Sequence, residues 1–334
     1  MQYAVIGLNY GDEGKGRVTD LLASNNQDVL NIRYNGGCQA GHTVIFKNQR
    51  HVFSHFGSGT FRGLKTHFTK NTVVNPIIFL REYKQLQSLG INPYFSVSFL
   101  SEITTPFDMI TNQNECKKQN TKNSCGMGIL ATLKRKTSFK ILDLLGSDFN
   151  IEAKIDNIIS EYNLSDMELI RKQFLLDLYK FYCKIHIIND YHAMVSSSIF
   201  EGAQGLELDA HSDNFPYVTP SRPGVEGIIQ SEIFNRKEKL EVHFVTRSYV
   251  TRHGDGPFPE EDKELSYPDE TNFENDYQGK LRFGRLIKEN ILRKIEQQMT
   301  YLHRECVNAT YVLHITHSKY LSINFSEQNI TYHD

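Results

Sequence analysis

The stretch Gly11-Asp12-Glu13-Gly14-Lys15-Gly16 constrains this chain more than any other six residues in it. An apolar run over 3–8 precedes it with the length and bounding glycine of a buried strand, and apolar residues at helical spacing over 18–22 follow. A second strand is expected over 29–34, ending at Gly36-Gly37. A helix between two strands predicts a right-handed βαβ unit and a mainly parallel sheet. The glycines let backbone N–H groups approach an anion, the following helix offers its positive end, and Lys15 adds a cation. Such a loop suits a polyphosphate. It is not a Walker A sequence, because position 9 is Asn and Gly16 stands where Ser or Thr would hold magnesium. Two carboxylates beside a triphosphate would repel it unless Mg²⁺ bridges Asp12 to phosphate oxygens. A glycine-rich turn with solvated charges is the simpler alternative.

The second informative stretch, Arg33-Tyr34-Asn35-Gly36-Gly37-Cys38-Gln39-Ala40-Gly41-His42-Thr43, puts a histidine after a strand end, where open α/β sheets hold ligands. Residues 43–46 and 51–56 read as a hairpin around Lys47-Asn48-Gln49-Arg50, 77–89 as a helix closed by Gly90, and 95–100 as a strand. Polar, weakly periodic 101–128 reads as a long loop. Helical spacing over 151–196 predicts a helical hairpin or cap, an insertion of about 150–196. Strands are expected over 198–201, 242–250 and 309–315, with a long helix carrying Leu286, Ile291, Ile295, Met299 and Leu302 on one face. No repeat or linker interrupts the pattern. The expectation is one α/β domain over 1–334: a mainly parallel central sheet with flanking helices, P-loop-like, with a helical cap.

Composition excludes several classes. With 37 Lys+Arg against 39 Asp+Glu there is no basic excess for gripping nucleic acid. No run of 18 apolar residues appears and the start lacks a secretory pattern, so a cytoplasmic protein without a membrane role is expected. The five cysteines are scattered, with no C-x-x-C pair, which suggests neither a disulfide framework nor a zinc cage. Apart from His42, the histidines show no metal-ligand spacing and read as structural or surface residues.

The glycine-rich loop, Gly36-Gly37 and Ala40-Gly41-His42-Thr43 together resemble the adenylosuccinate synthetase family, which joins aspartate to inosine monophosphate at the cost of GTP. Glu201-Gly202-Ala203-Gln204-Gly205, Pro216-Tyr217-Val218-Thr219, and Thr251-Arg252 with Gly256-Pro257-Phe258-Pro259 match further family segments in the same order. The resemblance covers roughly 1–315 and implies a C–N bond-forming ligase dependent on Mg²⁺ and a nucleoside triphosphate. It implies Asp12 as the base that removes the purine N1 proton and as a metal ligand, with His42 stabilising the transferring phosphoryl group and the 6-oxygen. Lys15 joins them in catalysis and, with Gly11, Glu13, Gly14, Gly16 and Thr43, holds the triphosphate; the Gly41 carbonyl completes the metal shell. Gln204, implied in catalysis too, and Thr219 hold the purine nucleotide. Family members dimerise, which implies a homodimer.

The departures concern substrates. Gln39 stands where the family has Asn, and Asn123-Ser124-Cys125-Gly126-Met127-Gly128 where it has Thr-Thr-Gly-Arg-Gly. The aspartate-binding segment corresponds to Tyr277-Gln278-Gly279-Lys280-Leu281-Arg282, where Arg282 can still clasp a carboxylate, while Lys280 is a point charge; Arg252, in its own matching segment, is a further substrate-binding candidate. The family's guanine-reading Thr-Lys-x-Asp is replaced by Thr316-His317-Ser318-Lys319, so ATP or GTP fits as donor. Short members occur in archaea and in viruses that start from deoxyguanosine monophosphate; the viral branch often lacks the loop aspartate kept here as Asp12. The purine substrate is therefore inosine or (deoxy)guanosine monophosphate, and the amine aspartate or a related amino acid. Lys134-Arg135-Lys136 either reaches a substrate phosphate or forms a solvated face. Two alternatives stand beside the ligase: the same activation chemistry on another nucleotide or amine, and a silent nucleotide-binding sensor.

Overall fold

Runs of four to eight residues dominated by Val, Ile, Phe and Leu become strands buried on both faces, the pattern a parallel sheet requires. The structure, a computed structural model, describes residues 1–26, 28–120, 124–188, 197–269, 277, 279–323, 325 and 329–334. The first half holds β1 (Gln2–Gly7), α1 (Lys15–Asn25), β2 (Leu30–Arg33), β3 (His42–Phe46), β4 (Gln49–Phe53), β5 (Lys65–Phe68), β6 (Val73–Val74), α2 (Pro76–Ser88), β7 (Phe95–Ser98), β8 (Glu102–Ile103), α3 (Pro106–Gln119) and α4 (Ile129–Lys134). Then come α5 (Asp148–Glu161), α6 (Glu168–Tyr182), β9 (His186–Ile188), β10 (Ser198–Gly205), α7 (Val225–Ile229), β11 (Leu240–Arg247), β12 (Val250–His253), β13 (Leu281–Gly284), α8 (Lys288–Arg304), β14 (Ala309–Thr316) and β15 (Ile330–His333).

Among the described residues the main sheet has nine strands in the order β15-β14-β11-β1-β10-β2-β5-β7-β9, and every neighbouring pair is parallel. β1 lies centrally, with β10 on one side and β11 on the other. Its chain continues through α1 to β2, one strand beyond β10, so the loops after β1, β2, β10 and β11 open at the same carboxyl edge. Helix α8 packs Ile291, Ile295 and Leu302 on one face of the sheet, and α1 packs Val18 and Leu22 on the other. A second core, rich in phenylalanine, joins β5 and β7 to α2, α5 and α6 through Phe68, Phe79, Phe95, Ile155, Ile158, Phe174 and Phe181.

The βαβ start, the hairpin, α2, the α5–α6 pair and α8 fall where the sequence patterns put them. The hairpin turn is tighter than expected: only Lys47-Asn48, both at positive φ (47° and 63°), separate β3 from β4. The helical insertion ends at Tyr182 and gives way to β9; the rest of the predicted helical region, 189–196, lies outside the described residues. The long loop over 101–128 is corrected: it contains α3. Periodicity misses this helix because it is mostly polar, burying chiefly Pro106, Phe107, Asp108 and Cys116. Its start carries a strong local signal. Thr105 N–H donates to Asp108 Oδ2 at 2.7 Å, the Thr105 hydroxyl accepts from Asp108 N–H at 3.3 Å, and Pro106 occupies the first helical position.

Candidate active site

The loop between β1 and α1 is built around its own glutamate. Glu13 turns inward, nearly fully buried, and its Oε1 accepts from the backbone N–H groups of Asn9 (3.1 Å) and Gly11 (2.9 Å). Its Oε2 binds Lys15 Nζ at 2.6 Å. The carboxylate fits because Gly7 and Gly205 lack side chains: a Cβ on either would lie 2.3 or 2.4 Å from a Glu13 oxygen. Asn9 stands in place of a Walker glycine for a reason visible here. Its amide donates to Thr246 Oγ1 (2.9 Å) and accepts from Lys294 Nζ (3.0 Å), tying the loop to β11 and α8. Glu13 and Lys15 thus neutralise one another inside the loop, with both side chains buried.

Asp12 faces outward. Its backbone is left-handed (φ 61°), its side chain keeps 30% of its surface, and Oδ2 lies 3.4 Å from His253 Nε2. Enclosure works against its charge. The hydrogen bond and charge of His253, with Arg247 and Lys15 beyond, outweigh that and hold the carboxyl below the usual aspartate range. Arg247 also donates from Nε to the Asp12 carbonyl and from Nη1 to Asp269 at 3.1 Å. His253, read from sequence as structural, therefore belongs to the Asp12 surroundings. A lone histidine in a strand carries no signal of that kind.

His42 opens β3 and is buried. Gly16 lets it approach α1: a Cβ there would lie 2.9 Å from His42 Cβ and 3.1 Å from Ser58 Oγ. His42 Nδ1 lies 2.5 Å from Oε1 of Glu201, which is wholly buried in β10. Burial pushes the imidazole below the usual histidine range; Glu201 opposes that, and Arg33 and Lys15 add to it. For Glu201 burial works the other way, but His42, Arg33 and Ser58 hold its pKa down to about 2. Lys15 acts on both Asp12 and His42.

The turn after β2 is sewn to the end of β10 by Asn35, which donates to Ala203 O (3.0 Å) and accepts from Ala203 N–H (2.8 Å). Beside this seam sit Gln39 and Gln204, the latter strained at φ 56°. A Cβ on Gly36 would lie 3.2 Å from Gln39 Nε2 and 3.5 Å from Gln204 Oε1, so both carboxamides flank one glycine. The Oε1 atoms of both are buried without a partner. Thr219 is close to Ser221, which Asn35 also contacts, with 3.4 Å between the hydroxyls. Of Ser124 and Cys125, the Ser124 hydroxyl is spent on Asn112 Oδ1 at 2.9 Å, and burial raises the Cys125 thiol to about 11. Asn123 lies outside the described residues.

The β12–β13 ribbon pairs Arg252 directly with Arg282. Arg252 is buried over the Tyr10 ring at 4.4 Å and gives Nη2 to Tyr217 O, while its Nε and Nη1 have no partner; burial lowers its pKa. Arg282 reaches Glu261 (3.0 Å) and Gly256 O (2.6 Å), and its Nε is also unpartnered. Lys280 is exposed just before β13, and Gln278 lies outside the described residues. Arg135 does not join the site. Its guanidinium is wholly buried against Asp108 and donates to the carbonyls of Ile103 and Thr137, each at 2.8 Å, so only Lys134 and Lys136 remain a solvated face.

The adenylosuccinate synthetase family profile matches residues 4–305 of this chain. The chain belongs to the adenylosuccinate synthetase family. The adenylosuccinate synthetase of Thermosynechococcus vestitus is 31% identical over 278 residues, covering 77% of this chain and 62% of the relative. That of Trichormus variabilis is 34% identical over 281 residues, again covering 77% and 62%. The chain thus spans about 62% of the length of these relatives. Two solved structures share the fold. The fully ligated adenylosuccinate synthetase from Plasmodium falciparum superposes with a TM-score of 0.74 at 21% identity, covering 94% of this chain and 76% of that one. Cyanophage S-2L succinoaminodeoxyadenylate synthetase (PurZ), bound to dGMP and dATP as an energy donor, gives 0.65 at 14% identity, covering 96% and 85%.

The segment after β14 follows the last strand-end loop of the site. Thr316 supports the loop by donating to Glu13 O at 2.8 Å, and the residues beyond it offer no carboxylate until Asp334 among the described positions. Tyr249, Tyr267 and Tyr320 cluster there, Tyr249 stacked on Tyr267 with 4.0 Å between ring centroids. None of the described helices is long and apolar enough to cross a membrane.

Proposed function

We propose that this chain is a C–N bond-forming ligase that activates the 6-oxygen of a purine nucleoside monophosphate with a nucleoside triphosphate and displaces phosphate with the amine of aspartate. One observation carries the reading. An ionised, half-exposed Asp12, a carboxylate-bound His42 and the unpartnered Gln39 and Gln204 oxygens converge on the carboxyl ends of β1, β2 and β10. A pure binder of phosphate needs the loop amides but has no use for the first two groups together.

In the proposed reaction Asp12 takes the N1 proton of the purine lactam, and the resulting 6-oxyanion attacks the terminal phosphorus of the triphosphate, releasing the diphosphate. His42 faces the oxygen being phosphorylated through Nε2. The amine then attacks C6 and inorganic phosphate leaves with the oxygen, so one triphosphate is cleaved per C–N bond formed. Gln39, Gln204 and Thr219 hold the purine nucleotide, and the open donors of Arg252 and Arg282 take the amino-acid carboxylates. Lys15, already paired to Glu13, supports the phosphate loop from inside.

The residues also suit a magnesium ion. Asp12 offers an ionised hard oxygen, and the Gly41 carbonyl lies just outside the β3–β4 ladder. No group of three His, Cys, Asp or Glu side chains that could hold a metal occurs among the described residues, which suits an ion held largely by phosphate and water. When bound, Mg²⁺ would supply charge neutralisation to the phosphates. For the donor we favour ATP over GTP, because the segment after Thr316 carries Tyr320, packed with Tyr249 and Tyr267, where the family has a base-reading carboxylate. A cytoplasmic homodimer of one domain completes the proposal.

The test is turnover. Inosine, guanosine or deoxyguanosine monophosphate, aspartate, Mg²⁺ and either ATP or GTP should yield a succinyl-purine by mass spectrometry, faster with ATP. Absence of product with every combination defeats the ligase reading. Phosphate release that needs a nucleotide but not aspartate would instead support another amine.

A further inference from the structure

The hydrogen-bond inventory around Glu201 leaves one solution for its protons. A carboxylate accepts at about four sites, and here all four are filled. Oε2 receives Asn31 Nδ2 and Ser58 N–H, each at 3.0 Å; Oε1 receives the Ser58 hydroxyl and faces His42 Nδ1 at 2.5 Å. The orientation of Asn31 is settled by its own neighbour, because Gly59 N–H donates to Asn31 Oδ1 at 2.9 Å and so leaves the NH₂ group for Glu201. Every partner is buried, and the buried Arg33 adds positive charge nearby. An acceptor-only group therefore meets His42, and the imidazole must present N–H at Nδ1. Its other nitrogen, Nε2, makes no hydrogen bond among the described residues.

We propose that Glu201 is a positioning residue that locks His42 with its proton on Nδ1, leaving Nε2 as the nitrogen turned to the reacting nucleotide. The arrangement spans 170 residues of chain, from Asn31 to Glu201, and joins β2, the start of β3, the turn at Ser58 and β10. It follows the logic by which a buried carboxylate orients the imidazole of a hydrolytic triad. The role in turnover rests on the ligase reading above; the proton assignment does not.

Substitution by glutamine makes a sharp prediction. Asn31 Nδ2 and Ser58 N–H can only donate, so the carboxamide oxygen of Glu201→Gln must stay on their side and its NH₂ must face Ser58 Oγ and His42 Nδ1. That forces the proton of His42 onto Nε2. In ring-¹⁵N-histidine protein at neutral pH, with His42 identified by its loss in His42→Asn, Nδ1 should be protonated in the unaltered chain and Nε2 in Glu201→Gln. Turnover in Glu201→Gln should fall on the order of 10³- to 10⁴-fold with the nucleotide KM little changed, and Glu201→Asp should restore the Nδ1 proton and part of the rate. An Nε2 proton in the unaltered chain overturns the proposal, as does a Glu201→Gln variant with undiminished kcat. Should that variant fail to fold, the unaltered chain and Glu201→Asp decide alone. If no nucleotide is turned over while Nδ1 is protonated, the ligase reading fails and the proton assignment stands.

Discussion

The strand-end loops around β1 and the β12–β13 ribbon hold their charges in opposite conditions. In the loops each buried carboxylate is fully used: Glu13 by two amides and Lys15, Glu201 by four donors. In the ribbon Arg252 and Arg282 sit side by side with three guanidinium nitrogens unclaimed. Buried donors without partners are costly, and a site keeps them only where a ligand will supply the acceptors. The contrast teaches that the carboxylates at the strand ends are satisfied within the chain, whereas the ribbon keeps open donors that the proposed function assigns to the amino-acid carboxylates.

Four experiments sharpen or break this contrast, the largest effect first. Asp12→Asn removes the exposed base from an otherwise intact loop, so turnover should fall on the order of 10²- to 10⁴-fold while triphosphate binding by calorimetry persists. Glu13→Gln strips the loop of its internal counter-charge, and urea unfolding should show a loss of about 3–5 kcal/mol. A stable variant would mean the loop is not self-supporting. In the ribbon the balance reverses. Arg282→Lys should raise the amino-acid KM about ten- to a hundred-fold, with the unfolding midpoint almost unmoved. A large stability loss there would erase the distinction.

The smallest effect tests a third region. His243, His314 and His333 form a chain across β11, β14 and β15, with nitrogens 2.8 and 2.9 Å apart, and Glu241 accepts at one end at 3.1 Å. Burial holds all three below the usual histidine range, His314 at about 3; Glu241 opposes this at His243, while neighbouring imidazoles reinforce it at His314 and Arg17 does so at His333. The folded state thus binds fewer protons than the unfolded one. Their contribution to stability is complete above about pH 6.5 and is lost as pH falls toward 3. Melting temperature should decline from pH 7 to 4, and His314→Gln should flatten that decline.

Much of the fold was legible because its signals are local. The β1–α1 turn announces itself through Gly11, Gly14 and Gly16, and α8 through its apolar spacing. Helix α3 was locally encoded too, but in its Thr105–Asp108 cap rather than in periodicity, so a reading based on apolar spacing passed over it. Candidate residues tied to glycine-rich turns, such as Asp12, His42 and Gln204, could be named from sequence. Their supports could not. Ser58 and Asn31 are ordinary polar residues in sequence, and the pairing of Lys15 with Glu13 inside the loop carries no sequence signal of its own.

By itself the sequence determined most of the strand and helix segments, that a glycine-rich loop precedes α1, and which side chains are candidates for chemistry. Those properties depend on neighbours within a few residues. Only the tertiary structure decided that Glu201 meets His42, that His253 meets Asp12 and that Arg252 lies beside Arg282. The reason is physical: hydrogen bonds and charges act over a few ångströms, and parallel pairing of β1, β2 and β10 is what brings residues some 160 positions apart within that range.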